Sequence, residues 1–317
     1  MKKTCIISAF ILGAFAFSAY AQSVWEYDSE NPENNTKDNW SPTDEWYVDA
    51  SQGSLTASGH FENKGVIHIV GSNYIDGNGN GVKGSTSFIA NSGNNHNRNT
   101  LILENVDFKT GNFYNENSNH YPTVEIKGYV TNNSNFYTKQ TGIFLIDDGA
   151  MFAGHTFIIE NSAGVVKLAN ARAKTFVADW EFRTQSESVI DFTFTNDTLE
   201  CVDASSAAFR TRFAKSLNGK IEIDLTNMVL TDDFVLGETY KIALVNSWSG
   251  EHNSGQFDDT WQVLSENVAN GQYAEFAGFE KTDTMLYVSI KAIPEPSTCA
   301  AIFGALALAF AVCRRRK

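Results

Sequence analysis

Acidic side chains are the residues in this sequence best able to do chemistry, and they occur as the adjacent pairs Asp147-Asp148, Asp232-Asp233 and Asp258-Asp259. Glycoside hydrolysis needs two carboxylates that converge across a cleft. Neighbouring residues of a strand point to opposite faces of a sheet, and Asp is favoured in turns. No cluster of Lys and Arg in the sequence suits an anionic polysaccharide. We therefore expect the pairs to lie in turns and assign no catalytic residue.

A second group of oxygen-bearing side chains resembles half of a calcium loop. Asp76, Asn78 and Asn80 alternate with glycines, as ligands of a hard cation do around a tight turn. The bidentate Glu that completes such a loop is replaced by Ser87. The six histidines are scattered without zinc-ligand spacing. We therefore predict no metal site and no other cofactor, with Asp76, Asn78 and Asn80 as the only weak candidates.

The N-terminal segment has the three parts of a secretory signal. Lys2 and Lys3 precede an apolar run, and Ala19-Tyr20-Ala21 follows it. A basic start, a short apolar core and an Ala-x-Ala site are typical of a signal peptide removed during export. We expect the Sec machinery to export the chain, with cleavage after Ala21.

The C-terminal segment contains a second ordered set of signals. Pro294-Glu295-Pro296 is followed by the apolar stretch Thr298–Cys313 and then by Arg314, Arg315, Arg316 and Lys317. The stretch predicts a transmembrane helix of about 24 Å, short for a hydrocarbon core of roughly 30 Å. The basic cluster is expected on the cytoplasmic side. The prolines predict that Ala292–Ser297 is extended and accessible.

This tail resembles the PEP-CTERM sorting domain over roughly Ala292 to Lys317. The resemblance implies a Gram-negative bacterium with an exosortase, a membrane enzyme that processes such tails. In that family the recognition motif is Pro-Glu-Pro, which is carried here by Pro294, Glu295 and Pro296. The family is associated with exopolysaccharide and extracellular-matrix production. A simple C-terminal anchor is the alternative interpretation.

The net charge and the positions of the cysteines limit which partners and which stabilising bonds the body can have. The formal net charge of the chain is −13, and an acidic surface repels nucleic acid. Cys5 lies in the signal peptide, and Cys299 and Cys313 lie in the tail, so only Cys201 remains in the body. A single thiol forms no disulfide within the mature chain. A hydrophobic core must therefore hold the body together.

The middle of the chain repeats itself, which indicates an all-β fold. Two sets of apolar residues each recur every 21 to 24 residues, and such a period is typical of repeat architectures. The aliphatic set is Ile102, Val124, Leu145, Val166 and Ile190, and the aromatic set is Phe113, Phe136, Phe157 and Trp180. Each set is expected to form one column of a parallel β-helix, or solenoid. An antiparallel β-sandwich is the alternative, because the runs alternate at a spacing that also fits short hairpin strands.

The predicted organisation has five parts. After the signal peptide (residues 1–21) comes an acidic, Asn- and Trp-rich leader (22–53), which we expect to be irregular. Solenoid repeats follow (54–195). The segment 196–291 begins with a short helix, indicated by the spacing of Phe209, Phe213 and Leu217, and continues as a β-rich part with terminal strands. The sorting tail with its transmembrane helix occupies 292–317.

The body also resembles, more loosely, the β-helical passenger regions of autotransporters and the filler regions of other PEP-CTERM proteins. The segments that carry this resemblance are 142–152 and 237–245. It implies an elongated structural scaffold.

These observations predict an exported, non-enzymatic protein of the cell surface or extracellular matrix, with a structural or adhesive role. One alternative is a polysaccharide-active lyase or hydrolase on a β-helix scaffold, and another is a permanently anchored, single-pass surface-binding protein. The expected partners are an exosortase-like enzyme, the Sec machinery, the membrane through the C-terminal helix, and exopolysaccharide. Nucleic acid is not among them.

Overall fold

The computed structural model describes residues 23–26, 45–49, 54–57, 61–62, 66–71, 81–84, 88–89, 100–108, 113–117, 123–140, 142–160, 164–184, 188–215, 220–229, 231–248, 264–294 and 296–315. These residues are mostly β-strand. In chain order the strands are β1 (Ser23–Glu26), β2 (Glu45–Asp49), β3 (Ser54–Ala57), β4 (Phe61–Glu62), β5 (Val66–Val70), β6 (Gly81–Gly84), β7 (Phe88–Ile89), β8 (Thr100–Glu104), β9 (Asp107–Phe108), β10 (Phe113–Asn117), β11 (Thr123–Lys127), β12 (Tyr129–Gln140), β13 (Ile143–Ile146), β14 (Met151–Glu160), β15 (Val165–Leu168), β16 (Phe176–Arg183), β17 (Val189–Thr193), β18 (Phe209–Lys215), β19 (Lys220–Asp224), β20 (Thr239–Ser247), β21 (Leu264–Ala269), β22 (Ala274–Lys281) and β23 (Met285–Ala292). Helix α1 follows at Pro296–Arg315.

The first large sheet has the strand order β1-β2-β5-β8-β11-β13-β15-β17-β19-β21, and each neighbouring pair is parallel. Burial alternates along its strands. Leu101 and Leu103 of β8 are fully buried, as are Val124 and Ile126 of β11. Since side chains of a strand alternate between the two faces, one face of this sheet lines the core and the other faces solvent.

The second large sheet has the order β22-β23-β20-β18-β16-β14-β12-β10-β7-β4, and β9 also pairs with β12. Its strands from β4 to β20 are parallel to their neighbours. At one end the direction changes, because β23 lies antiparallel between β20 and β22. Strands β3 and β6 form a separate parallel pair.

The chain passes back and forth between the two sheets. Strands β11, β13, β15, β17 and β19 belong to the first sheet, and β12, β14, β16, β18 and β20 belong to the second. The strand that contains Val124 is parallel to the strand that contains Leu145. The all-β class and the parallel pairing are therefore confirmed, and the antiparallel sandwich is wrong for these strands.

The aliphatic column lies in one sheet as predicted, but its register is wrong at two positions. Val124 pairs with Leu101 and Phe144, and not with Ile102 and Leu145. Ile102 and Leu145 are only half-buried, whereas Leu101 and Phe144 are fully buried. Apolar residues on both sides of these strands conceal the alternation, and a shift of one residue moves a side chain to the opposite face.

The aromatic column is correct up to Phe157 and then wrong. Phe113, Phe136 and Phe157 pair in register, and the next residue in the row is Phe182, not Trp180. At this point β14 has one inserted residue and β16 has two. Such β-bulges change the number of residues between paired positions on neighbouring strands. The even spacing in the sequence therefore pointed to the wrong aromatic residue.

The leader expected to be irregular contains β1 and β2. These strands pair with each other and, through β2, with β5, so they extend the first sheet. The expectation of an irregular leader is therefore wrong for these two segments. Backbone N–H and C=O groups at the edge of a sheet lack partners, and these two short strands supply them.

The short helix predicted from Phe209, Phe213 and Leu217 is also wrong. Phe209–Lys215 is strand β18, with Phe209, Thr211 and Phe213 buried at alternate positions. A spacing of four residues fits one face of a helix and also one face of a strand, so it does not distinguish the two. Leu217 lies outside the described residues. A 3-10 helix occurs nearby, at Asn196–Glu200.

A continuous core joins the two sheets. The main cluster of buried side chains extends from Ile69 to Ala292. Both sheets continue past Asn196, because β17 pairs with β19 and β16 pairs with β18. Any function of the body must therefore use the outward faces, the strand ends or the tail.

Candidate functional site

The predicted sorting motif lies where the body meets the helix. Pro294 is exposed, Pro296 is the first residue of α1, and Glu295 lies outside the described residues. Ala292 is the buried last residue of β23, and Ser297 is already in α1. The prediction that Ala292–Ser297 is extended and accessible is therefore wrong at both ends. Proline starts a helix readily, because the first helical turn uses no backbone N–H of that residue.

Helix α1 carries a large exposed apolar surface. Residues 301–314 are all exposed, including Arg314. The side chains of Phe303, Leu308 and Phe310 are 70, 70 and 74 % exposed. Arg315 ends the helix, and Arg316 and Lys317 lie outside the described part. Contiguous apolar surface of this kind marks a protein or membrane interaction site.

The helix forms where it was predicted, but the transmembrane assignment is not supported. In the described ranges no helix combines the length and hydropathy that crossing a membrane requires. The apolar stretch is short and rich in alanine, which gives it modest hydrophobicity.

The other predicted functional residues fall outside the described part of the chain. They are Ala19 and Ala21 of the signal peptide, and Asp76, Asn78 and Asn80 of the candidate calcium loop. Among the described residues there is no group of three or more His, Cys, Asp or Glu side chains able to hold a metal ion.

The acid pair Asp147-Asp148 lies in a turn, as its sequence predicted. The turn connects β13 to β14, and Gly149 adopts a φ of 79° within it. The Asp148 carboxylate accepts a hydrogen bond of 2.8 Å from the buried amide of Asn170. This carboxylate thus links one turn to the next along the stack. Asp232-Asp233 also lies in an exposed turn, and Asp258-Asp259 is outside the described residues.

A surface that the sequence did not reveal is built from the bulges of the second sheet. The inserted residues are His155 in β14, Asp179 and Trp180 in β16, and Arg212 in β18. These three strands are neighbours, so the inserted side chains come together in a row. Bulges aim side chains away from the regular ladder and are frequent next to functional sites.

The rings and charges of this row are in direct contact. The imidazole of His155 stacks on Trp180, with 5.8 Å between centroids, and its Nδ1 lies 2.8 Å from a carboxylate oxygen of Asp179. The guanidinium of Arg212 lies 5.0 Å from the centroid of Trp180. Phe213 packs edge-on against the same ring at 5.1 Å. Trp180 is thus held between strands β14 and β18.

A second arginine extends the row. Arg210 lies on β18, and its guanidinium is 4.8 Å from the centroid of the Trp248 ring, just beyond the end of β20. Arg210, Arg212, Trp180 and Trp248 are all partly exposed. We call these four residues the arginine–tryptophan track. We predicted no cluster of Lys and Arg suited to an anionic polysaccharide, and the two arginines of the track lie two positions apart on the single strand β18.

No signal in the sequence reveals the track without the strand register. Trp180, the arginine pair of β18 and Trp248 are far apart in the chain, and no local pattern links them.

The outward face of the first sheet contains an acidic depression. It is lined by Asp191, Glu222, Asp224 and Asn267 on adjacent strands, together with Ile223, Val268 and Ala269. Lys167 Nζ donates a hydrogen bond of 2.8 Å to Asp191, and this bond raises the pKa of the lysine. Burial raises the pKa of the Asp191 carboxyl, the bond from Lys167 opposes the rise, and the negative charges of Glu222 and Asp224 add to it.

Comparison with protein-family models, with curated proteins and with solved structures gave no match for this chain.

Proposed function

We propose that this chain is an exported, non-enzymatic protein of the cell surface or extracellular matrix of a Gram-negative bacterium, with a structural or adhesive role. Its body is a β-solenoid, and its tail is a sorting signal that an exosortase-like enzyme processes. The observation that carries the proposal is the exposed apolar helix α1, which begins within the Pro-Glu-Pro motif and follows directly on the last strand of the body.

The strand order supports the solenoid. The chain alternates between two sheets, and each sheet gains one parallel neighbour per repeat. Inward-facing residues form a column along the first sheet: Leu101, Val124, Phe144 and Val166. Columns of this kind are what repeat proteins use to build a core in which each repeat contacts mainly its neighbours.

The environment of the tail supports sorting. A helix whose apolar side chains are half to three-quarters exposed is unfavourable in water, since each buried CH₂ group would contribute about 0.8 kcal/mol. Association with lipid or with a processing enzyme removes this surface from water. Exposed Pro294 lies between strand β23 and the helix, so this residue of the motif is reachable without unfolding the body.

The state of the carboxylates supports a non-enzymatic body. Asp147 and Asp148 shape a turn, Asp179 contacts His155, and Asp191 is bonded to Lys167. These acids have structural partners where they lie. Such bonds fix turns and neighbouring strands, which is the task of a scaffold.

Mass spectrometry of the protein released from its host tests the proposal. Wild-type protein should begin at Gln22 and lack Thr298–Lys317. Replacing Pro294, Glu295 and Pro296 by Ala should leave a full-length, cell-associated form. Release of wild-type protein with an intact tail would overturn the sorting role and leave a plain anchor.

One observation favours a polysaccharide-active enzyme as the second candidate. The acidic depression places Asp191 beside Glu222 on neighbouring strands, which lie about 4.8 Å apart in a sheet. Retaining glycosidases hold their two carboxylates about 5 Å apart. An assay for cleavage of acidic and neutral polysaccharides, with Asp191→Asn as the inactive control, separates the candidates. Cleavage lost in that variant would establish the enzyme.

A further inference from the structure

Two arginines on β18 differ from the other basic residues whose bonds are known. Arg183 donates from Nε to Glu181 at 2.7 Å, and Lys167 bonds Asp191 at 2.8 Å. By contrast, the Nε atoms of Arg210 and Arg212 are buried and have no hydrogen-bond acceptor among the described residues. Their guanidinium groups instead lie over Trp248 and Trp180. In a chain of net charge −13, these two cations rest on aromatic rings and not on carboxylates.

Stacking on a ring leaves the edge of a guanidinium free. The cation contacts the aromatic face with its own face, while its N–H donors point outward in the plane of the group. That edge matches two oxygens of a carboxylate, and the paired hydrogen bonds are among the strongest in proteins. The Nε atoms themselves are buried, so an outside oxyanion would bind through the terminal Nη atoms of these partly exposed side chains.

The carboxylates near the two arginines are bonded to other residues. Asp179 contacts His155, and Glu181 is bonded to Arg183. The recorded bonds of these two acids thus go to His155 and Arg183, whereas the guanidinium groups of Arg210 and Arg212 lie over tryptophan rings. The acidic remainder of the protein opposes the approach of anions in general. Selectivity for an anion must therefore come from contacts made on the track itself.

The shape of the track points to an extended ligand. His155, Trp180 and Arg212 come from three successive strands, and Trp248 follows the next one. With about 4.8 Å between strands, the row spans roughly 14 Å across the sheet. Tryptophan offers a broad apolar surface with one N–H donor, which complements a sugar ring with its C–H faces and hydroxyl groups. A linear polymer of sugars that carry carboxylates matches both components of the row.

We infer that the arginine–tryptophan track binds an extended, carboxylate-bearing polysaccharide. Arg210 and Arg212 each hold a sugar carboxylate, and the exposed parts of Trp180 and Trp248 contact the sugar rings. This inference deepens the proposed adhesive role and rests on it only for placing the track outside the cell, where such polymers occur.

Titration of the full chain in mild detergent with polygalacturonate, followed by tryptophan fluorescence and calorimetry, tests the inference. Binding should be saturable and should weaken as salt is added, because charge-assisted bonds contribute. The double variant Arg210→Gln/Arg212→Gln should lose affinity by about tenfold or more, since each lost charged hydrogen bond is worth about 1.5–3 kcal/mol. Arg183→Gln is the matched control and should bind like wild type, because Arg183 already has Glu181 as its partner.

A second variant keeps the test decisive if the first fails to fold. Arg210→Lys/Arg212→Lys retains both charges but removes the planar fork, so it should bind more weakly than wild type. Equal binding of neutral dextran, unchanged affinity in a folded double variant, or equal affinity for monomeric galacturonate would overturn the inference. The measurement involves neither export nor tail processing, so its failure leaves the proposed sorting intact, and the reverse also holds.

Discussion

The ring of Phe157 stacks almost parallel on that of Phe136, with 5.0 Å between centroids and an angle of 4° between planes. The two residues are direct partners in the register of β14 and β12. Phe182 continues the stack on the other side, at 5.9 Å from Phe157. Phe157 thus joins three repeats through one column of rings, and its side chain is fully buried.

Replacing Phe157 by Ala should therefore lower the free energy of unfolding by about 3–5 kcal/mol, because it leaves a cavity between three strands. Chemical denaturation followed by intrinsic fluorescence measures the change. Phe310→Ala on the exposed helix removes the same side chain and should leave the stability of the body unchanged. A loss of under about 1 kcal/mol for Phe157→Ala would contradict the placement of this side chain in the core.

Asn170 connects three successive turns through one buried amide. Its Nδ2 donates to Asp148 at 2.8 Å and to Asp197 at 3.3 Å, and its Oδ1 accepts from Thr195 at 2.7 Å. Asn170→Ala should cost about 1–3 kcal/mol, since it removes three hydrogen bonds of a buried amide, two of them to carboxylates. Asn267→Ala removes an exposed amide bonded to Glu222 and should cost under about 1 kcal/mol. Equal losses in the two variants would show that the buried link contributes nothing special.

The Cys201 thiol should be unreactive in the folded protein. It is fully buried, and burial raises its pKa to about 12, so the reactive thiolate is scarce at neutral pH. A variant with Cys5, Cys299 and Cys313 changed to Ser should react with a disulfide reagent only after denaturation. The matching variant that keeps only Cys313, which is exposed on α1, should react at once. Rapid labelling of Cys201 under native conditions would mean that the core opens there.

Asp191 should make the protein less stable as the pH rises through the acidic range. Its pKa is raised in the folded state, so the folded chain holds the proton more tightly than the unfolded chain does. Stability from this group is therefore present at low pH and is lost as the pH rises through the raised pKa. Asp191→Asn should raise the Tm at about pH 7, and the difference should vanish near about pH 3.

The partner of Asp191 moderates this effect only slightly. The side chain of Lys167 is 43 % exposed, and ion pairs at such positions contribute little. Asp232→Asn, in an exposed turn, is the control and should leave the Tm unchanged at both pH values. A lower Tm for Asp191→Asn at neutral pH would mean that the bond to Lys167 outweighs the cost of burying the carboxylate.

Periodicity predicted the parallel pairing of the strands, but it did not predict which face each residue occupies. Leu101, Ile102 and Leu103 are all aliphatic, so alternation along β8 is invisible in the sequence, and only the pairing with Val124 resolves it. Trp180 was misplaced because the number of inserted residues differs between neighbouring strands. Bulges depend on contacts between strands, which no local pattern contains.

The two candidate sites show the same contrast between local sequence patterns and contacts across strands. The motif at Pro294 and the helix after it were predicted from a local sequence pattern, although the helix begins earlier than expected. The arginine–tryptophan track was not predicted, because Trp180 on β16, Arg212 on β18 and Trp248 just beyond β20 are far apart in the sequence, and their sequence neighbours do not link them. Local signals are therefore visible in a single sequence, whereas surfaces assembled across strands require the register.

The position of β23 determines how the molecule bears mechanical load. This strand lies between β20 and β22, paired on both sides along nearly its whole length, and the tail leaves from its end. A pull on the tail acts along β23 and therefore loads both hydrogen-bond ladders in shear, so many bonds must break together. An edge strand would instead be peeled away one bond at a time. A body held by this end would resist tension from flow or from attached polymers before it began to unravel.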